Sequence, residues 1–194
     1  MSNRIAPIAL EKSSTTTRPM LDALKKGLGM LPNVFATIAH SGAALGGYLA
    51  FTDALSKGAL TGREIELVNL YTSELNGCAY CVSAHGALAR RFELSPEEIS
   101  QARRGRGRDE REDAMLALVQ RVLRTGGGGA ATELERARKA GLDEAAVIEV
   151  LAHVSSKLFT NAVAQVSQTT NDFPVQPHLP SWSGVMRGQL ATSD

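Results

Sequence analysis

The chain has two cysteines, Cys78 and Cys81, in the stretch NGCAYCVSAHG, and His85 lies four residues past the second. Residues three and four apart on a helix share a face. Both thiols and the imidazole therefore fall on one patch of the first two turns of a helix starting near Cys78. Free N–H groups and the positive dipole end at a helix start favour a thiolate over a thiol. A neighbouring imidazole can take the thiol proton or hold the thiolate as an ion pair. Two cysteines at this spacing can close a disulfide across one turn. A thiolate attacking a peroxide becomes a sulfenic acid, which a second thiol condenses to a disulfide. Helix position favours Cys78 as the attacking thiol, and spacing to the histidine favours Cys81. A specific base at contact distance outweighs a diffuse dipole, which makes Cys81 the attacker and Cys78 the resolver.

Other uses of the pair are weaker. Two buried structural thiols are the simplest alternative. A structural zinc site needs four ligands and the chain has only two cysteines, so no metal is expected. Haem attachment needs a histidine directly after the second cysteine, where Val82 stands, and no cofactor is expected. Glu66 lies between Ile65 and Leu67 on a helix with apolar residues over much of its surface. Turned inward, its carboxylate could hydrogen-bond His85 and fix its tautomer. Turned outward, it would pair with Arg63 or Lys57.

The elements that must position these groups read as helices almost throughout. Thr61 to Glu64 forms a capping box that opens a helix running to about Leu75, with Gly77 as its stop. The cysteine helix runs from near Cys78 to about Phe92. Ser95-Pro96-Glu97-Glu98 is a second capping box, and Thr132 with Glu135 reads as a third. The stretch QARRGRGRDERED, from Gln101 to Asp113, reads as a polar connection, with a helix over 112–124 after it. Asp143 caps a long helix with Val147, Val150, Leu151, Val154 and Leu158 on one face. Upstream, Leu21, Leu24 and Leu28, then PNVFATIAH, then a broad apolar run through Leu45, Leu49 and Phe51, are also helical. No sustained alternating strand pattern occurs. The expectation is an all-α single domain of about seven or eight helices. An extended arm covers 1–18, the helical domain 19–171, and a proline-containing tail 172–194.

Composition excludes several classes. The 194 residues fit one domain, and 43% hydrophobic with 21% charged residues is ordinary for a globular protein. A net charge of +1 gives no pull toward nucleic acid or an anionic membrane. No apolar run approaches the ~20 residues of a membrane helix, and IAPIAL at 5–10 is too short for a signal-peptide core. The cytoplasm, where thiols stay reduced, is the expected compartment.

The stretch TGREIELVNLYTSELNGCAYCVSAHGALAR, 61–90, resembles the core of the AhpD-like group in the carboxymuconolactone decarboxylase family. The resemblance extends upstream through LGMLPNVFATIAHSGAALGGY and weakly to TNDFP, and points to the peroxidase-related branch. Its motif is an acidic residue followed twelve positions later by C-x-x-C-x-x-x-H. It implies an AhpD-like helical fold and a homo-oligomer, a trimer or hexamer. It implies an alkylhydroperoxidase using a hydroperoxide substrate and recharged by a lipoyl-type or thioredoxin-like dithiol donor. By position it implies Cys81 as the peroxidatic thiol, Cys78 as the resolving thiol, and Glu66 and His85 as the proton relay. The chain departs from AhpD at Tyr80, which stands where that protein has a histidine. A tyrosine there can donate a hydrogen bond but is a poor base at neutral pH. Two alternatives accompany the peroxidase: a dithiol–disulfide oxidoreductase serving a partner protein, and a non-enzymatic helical oligomer with structural or metal-binding cysteines.

The remaining candidates read as structural. His40 ends a helix, His153 packs in the core, and His178 is solvated in the tail. Arg103, Arg104, Arg106 and Arg108, followed by DERED, form a self-neutralising surface loop rather than an RNA site. Trp182 would anchor the tail on a neighbouring subunit.

Overall fold

The computed structural model describes residues 5–176 and 179. Among the described residues the chain is all-α, with nine α-helices, two 3-10 turns and no strand. The helices are α1 (Arg18–Leu28), α2 (Asn33–Ile38), α3 (Gly42–Leu55), α4 (Gly62–Leu75), α5 (Ala79–Leu88), α6 (Pro96–Arg103), α7 (Glu110–Thr125), α8 (Ala131–Lys139) and α9 (Glu144–Ser167). The 3-10 turns are Leu10–Lys12 and Ala89–Phe92. The count is one above the expected seven or eight, and α6 and α7 extend into the supposed polar connection, leaving 104–109 between them. His178 and Trp182, with Pro177 and Pro180, lie outside the described residues.

Caps set most helix starts. Both the Thr61 and Ser95 capping boxes close reciprocally, and Asp143 Oδ1 accepts the Ala146 N–H at 2.8 Å. Each such cap is worth about 1 kcal/mol. The third capping box does not form. Helix α8 starts two residues earlier, behind Ala130, and Glu135 pairs with Lys139 instead. Helix α7 begins at Glu110, capped by Asp109, whose Oδ1 accepts the Glu112 N–H at 2.9 Å.

Helix α4 is the centre of the molecule and packs against α5, α6, α7 and α9. Leu67, Val68 and Leu70 on α4, Met115, Leu116 and Val119 on α7, and Val150 and Val154 on α9 share one fully buried core. Burying each such side chain contributes roughly 1.5–3 kcal/mol. A second apolar cluster joins Leu21, Val34, Ile38, Leu45 and Ala164 to Tyr80 and the two cysteines. The thiols therefore sit inside packed structure.

Two surface readings are corrected. Arg103 is 4% exposed, and its Nε lies 2.7 Å from the equally buried Glu74 Oε2, because α6 lays its last turn across α4. The predicted stripe of α9 is rotated: Val147, Val150 and Val154 are buried, but Leu158 is 41% exposed. The buried line continues instead through Lys157, Asn161 and Ala164, at spacings of three and four.

Candidate active site

Helices α4 and α5 form a tight antiparallel hairpin. Gly77 takes the left-handed conformation (φ 66°) that ends α4, and the Cys78 N–H reaches back to Ser73 O at 3.0 Å. Cys78 is then the N-cap of α5, its sulfur accepting the Cys81 N–H at 3.4 Å. The hairpin sets residues of α4 opposite residues of α5 at similar distances from the turn. Glu66 thereby faces inward, 6% exposed, with Oε2 accepting from His85 Nδ1 at 2.8 Å. The outward alternative for Glu66 does not occur. Arg63 pairs with Glu98 and Glu112, and Lys57 with Asp53.

A carboxylate can only accept, so His85 carries its proton on Nδ1 and presents a lone pair at Nε2. That lone pair is taken. Lys157, from the buried line of α9, brings Nζ to 2.5 Å from His85 Nε2. Asn69 Nδ2 lies 3.5 Å from the other oxygen of Glu66. The result is a buried chain, Lys157 to His85 to Glu66, linking α9, α5 and α4. Lys157 had no place in the sequence-derived site, where lysine reads as a solvated residue. The signal available was its register with Val150, Val154 and Asn161.

Electrostatics follow the geometry. Burial pushes Glu66 up, but its interaction and hydrogen bond with His85, with Lys157 beyond, outweigh it and hold the carboxyl below its ordinary range. Burial and then Lys157 lower the basicity of His85, against the pull of Glu66, so the imidazole stays neutral. The Cys78 thiol is lowered, first because the Cys81 S–H donates to it, then by backbone N–H groups and Lys157 working against burial. Cys81 is raised, because it is the donor in that bond and because it is buried. The first thiolate charge of the pair therefore rests on Cys78, the N-cap sulfur. This is the reverse of the proton order expected from the histidine spacing. The reason is the hydrogen bond between the two sulfurs, which stabilises charge on the acceptor Cys78 and holds the proton on the buried donor Cys81.

Access separates the two thiols differently. A cavity of about 260 Å³ opens beside α5, lined mainly by apolar groups such as Met30, Val34, Phe35 and Phe173. Cys81, His85 and Lys157 face it, together with Tyr80 and Arg91, and Cys78 does not. Tyr80 is pushed up by burial and by nearby Asp172, so it remains a protonated phenol. Its hydroxyl oxygen accepts the Val34 N–H at 3.3 Å, and its ring meets Phe173 edge-on at 5.8 Å. The segment carrying Phe173 is tied across the site. Asp172 accepts the Asn33 N–H at 2.7 Å, and the Gln176 N–H donates to Ser83 Oγ at 3.1 Å.

His153 is 4% exposed and packs one turn before Lys157, while His40 follows α2 and binds Ala6 O at 2.9 Å through Nε2. Among the described residues, no three His, Cys, Asp or Glu side chains gather as metal ligands. Nor is any helix among them long and apolar enough to cross a membrane.

Residues 42–124 match the carboxymuconolactone decarboxylase family. No curated protein matches the chain significantly. Among solved structures, a peroxidase-related protein from Ralstonia eutropha JMP134 with an alkylhydroperoxidase AhpD core is 26% identical. It covers 87% of this chain and 93% of its own, at a TM-score of 0.78. A peroxidase-related protein from Silicibacter sp. TM1040 is 22% identical over 88% of this chain and 92% of its own (TM-score 0.76). The debrominase Bmp8, solved with 2,3,4-tribromopyrrole, is 16% identical over 89% and 93% (TM-score 0.76). The last two establish a common fold. The family match encloses both cysteines and the fold of an AhpD core spans most of the molecule, so the chain is similar to the AhpD-like group of the carboxymuconolactone decarboxylase family.

Proposed function

We propose that the protein is a thiol-dependent peroxidase that reduces small organic hydroperoxides through its CxxC pair. The observation that carries this reading is the division of labour between the sulfurs. Cys81 faces an apolar cavity, and Cys78 sits behind it with a lowered proton affinity. Transfer of the Cys81 proton to the Cys78 sulfur places the thiolate on Cys81, where a substrate can reach it. Cys81 then attacks the outer peroxide oxygen. An S–O bond forms, the O–O bond breaks, and the alkoxide leaves as an alcohol after gaining a proton. Cys78 displaces hydroxide from the sulfenic acid, giving a disulfide and water. Two electrons and two protons from a dithiol donor, lipoyl-type or thioredoxin-like, restore the thiols. Glu66 and His85 form the proton relay behind the reaction, the carboxylate fixing the ring.

The cavity's lining favours an organic over an inorganic peroxide, since apolar walls gain little from hydrogen peroxide. A homo-oligomer, a trimer or hexamer, working in a reducing cytoplasm completes the proposal.

The test is hydroperoxide consumption with a dithiol donor, wild type against Cys81→Ser. Turnover should fall at least ~100-fold in the variant, since no other described thiol faces the cavity. Equal rates in the two proteins would remove the mechanism.

A further inference from the structure

Lys157 has no role in the relay described so far, and its position assigns it one. Its side chain enters from α9, is 4% exposed, and ends 2.5 Å from His85 Nε2. An ammonium has three donors and no acceptor, so it is Lys157 that donates and His85 that accepts. Because Glu66 holds the other ring nitrogen, His85 has no free lone pair to offer a thiol or substrate. Lys157 faces the cavity beside Cys81 and is the group of the buried chain with protons to release. The charged and titratable groups around it are Glu66 from α4, the N-cap Cys78, Tyr80, Cys81 and His85 from α5, Arg91 just after α5, and His153 one turn earlier on α9.

Resting on the peroxidase reading, we propose that Lys157 is the terminal proton donor of the site and the cation that holds the thiolate of the cysteine pair. When the Cys81 thiolate takes the outer peroxide oxygen, the leaving alkoxide receives a proton from the Lys157 ammonium and departs as alcohol. The neutral amine is left donating to His85. In the second step the Cys78 thiol attacks the sulfenic sulfur, and its proton leaves with the hydroxide as water. One proton from solvent then restores the ammonium. The Glu66–His85 pair positions the amine: the carboxylate orients the ring, and the ring's lone pair fixes Nζ toward the cavity.

The proposal separates two properties of one residue, a fixed positive charge and a proton that can leave. Two variants read them independently. Lys157→Met removes both, and Lys157→Arg keeps the charge on a group that does not deprotonate in proteins. The measurements are the pH dependence of alkylation at each cysteine, resolved by peptide mass, and hydroperoxide turnover with a dithiol donor. In Lys157→Met the alkylation midpoint of the pair should rise by about one pH unit or more, and turnover should fall about 100-fold. In Lys157→Arg the midpoint should stay near the wild-type value while turnover falls comparably. An unchanged midpoint in Lys157→Met, or wild-type turnover in Lys157→Arg, overturns the assignment. If the methionine variant fails to fold by helical circular dichroism, the arginine variant decides: lost turnover with unchanged alkylation supports the donor role, and full turnover refutes it. If the wild-type protein turns over no hydroperoxide, the peroxidase reading fails. The alkylation shift still reports separately whether Lys157 holds the thiolate.

Discussion

Glu66 keeps its charge in a buried place because His85 and Lys157 stand opposite it. The same arrangement makes the site sensitive to acid. His85 has a folded proton affinity below the ordinary 6.5, and Glu66 one below the ordinary 4.5. Both groups bind a proton more readily in the unfolded chain. The stability they contribute is complete above those ordinary values and is lost as pH falls through them toward the folded ones. For His85 the loss begins below about pH 6.5, well before general acid denaturation. Urea midpoints at pH 7.5 and 5.5 should therefore differ in the wild type, with the lower value at pH 5.5. The difference should shrink in His85→Gln, which has no proton to bind. An equal pH difference in the variant would show that other groups carry the effect.

Helix α6 is tied to α4 by a buried ion pair beside the core residues Ile99 and Ala102. Arg103 reaches Glu74 at 2.7 Å, with the side chains 5% and 1% exposed. Removing one partner of such a pair leaves an uncompensated buried charge and costs about 3–5 kcal/mol. Arg103→Ala should lower unfolding free energy by about 3 kcal/mol in urea titrations. The exposed pair Lys139–Glu135 is the matched control, and Lys139→Ala should change stability by less than about 0.5 kcal/mol. Similar losses in the two variants would mean that burial does not set the difference. The hairpin of α4 and α5 carries chemistry as well as packing, because its turn at Gly77 fixes which α4 residue meets His85.

Helix α9 has two apolar stripes. One is the buried line that carries Lys157. On the opposite side Ile148, Phe159 and Val166 recur at spacings of eleven and seven residues, and are 63%, 37% and 71% exposed. A helix apolar on both sides is covered on both sides, which agrees with the homo-oligomer proposed above. Light scattering should give three or six times the 20.6 kDa chain mass. Ile148→Glu together with Val166→Glu should shift the mass toward monomer. A monomeric wild-type protein would leave the outer stripe without this explanation.

Sequence alone determined the helical class, most helix starts, and the thiol pair with its histidine. Those signals are local: caps and turn glycines act within four residues, and a one-face patch follows from helical period. Glu66 was legible as a candidate, though not its direction. The tertiary structure decided that direction, as it decided the burial of Arg103 and the proton order of the two thiols. It also supplied Lys157, which is 72 positions from His85 in the chain. The physical reason is common to Glu66, Arg103 and Lys157. A charged side chain is read as solvated until the packing of another helix removes its water and supplies its partner. In this fold that partner comes from distant sequence, and it alone sets which protons the site can move.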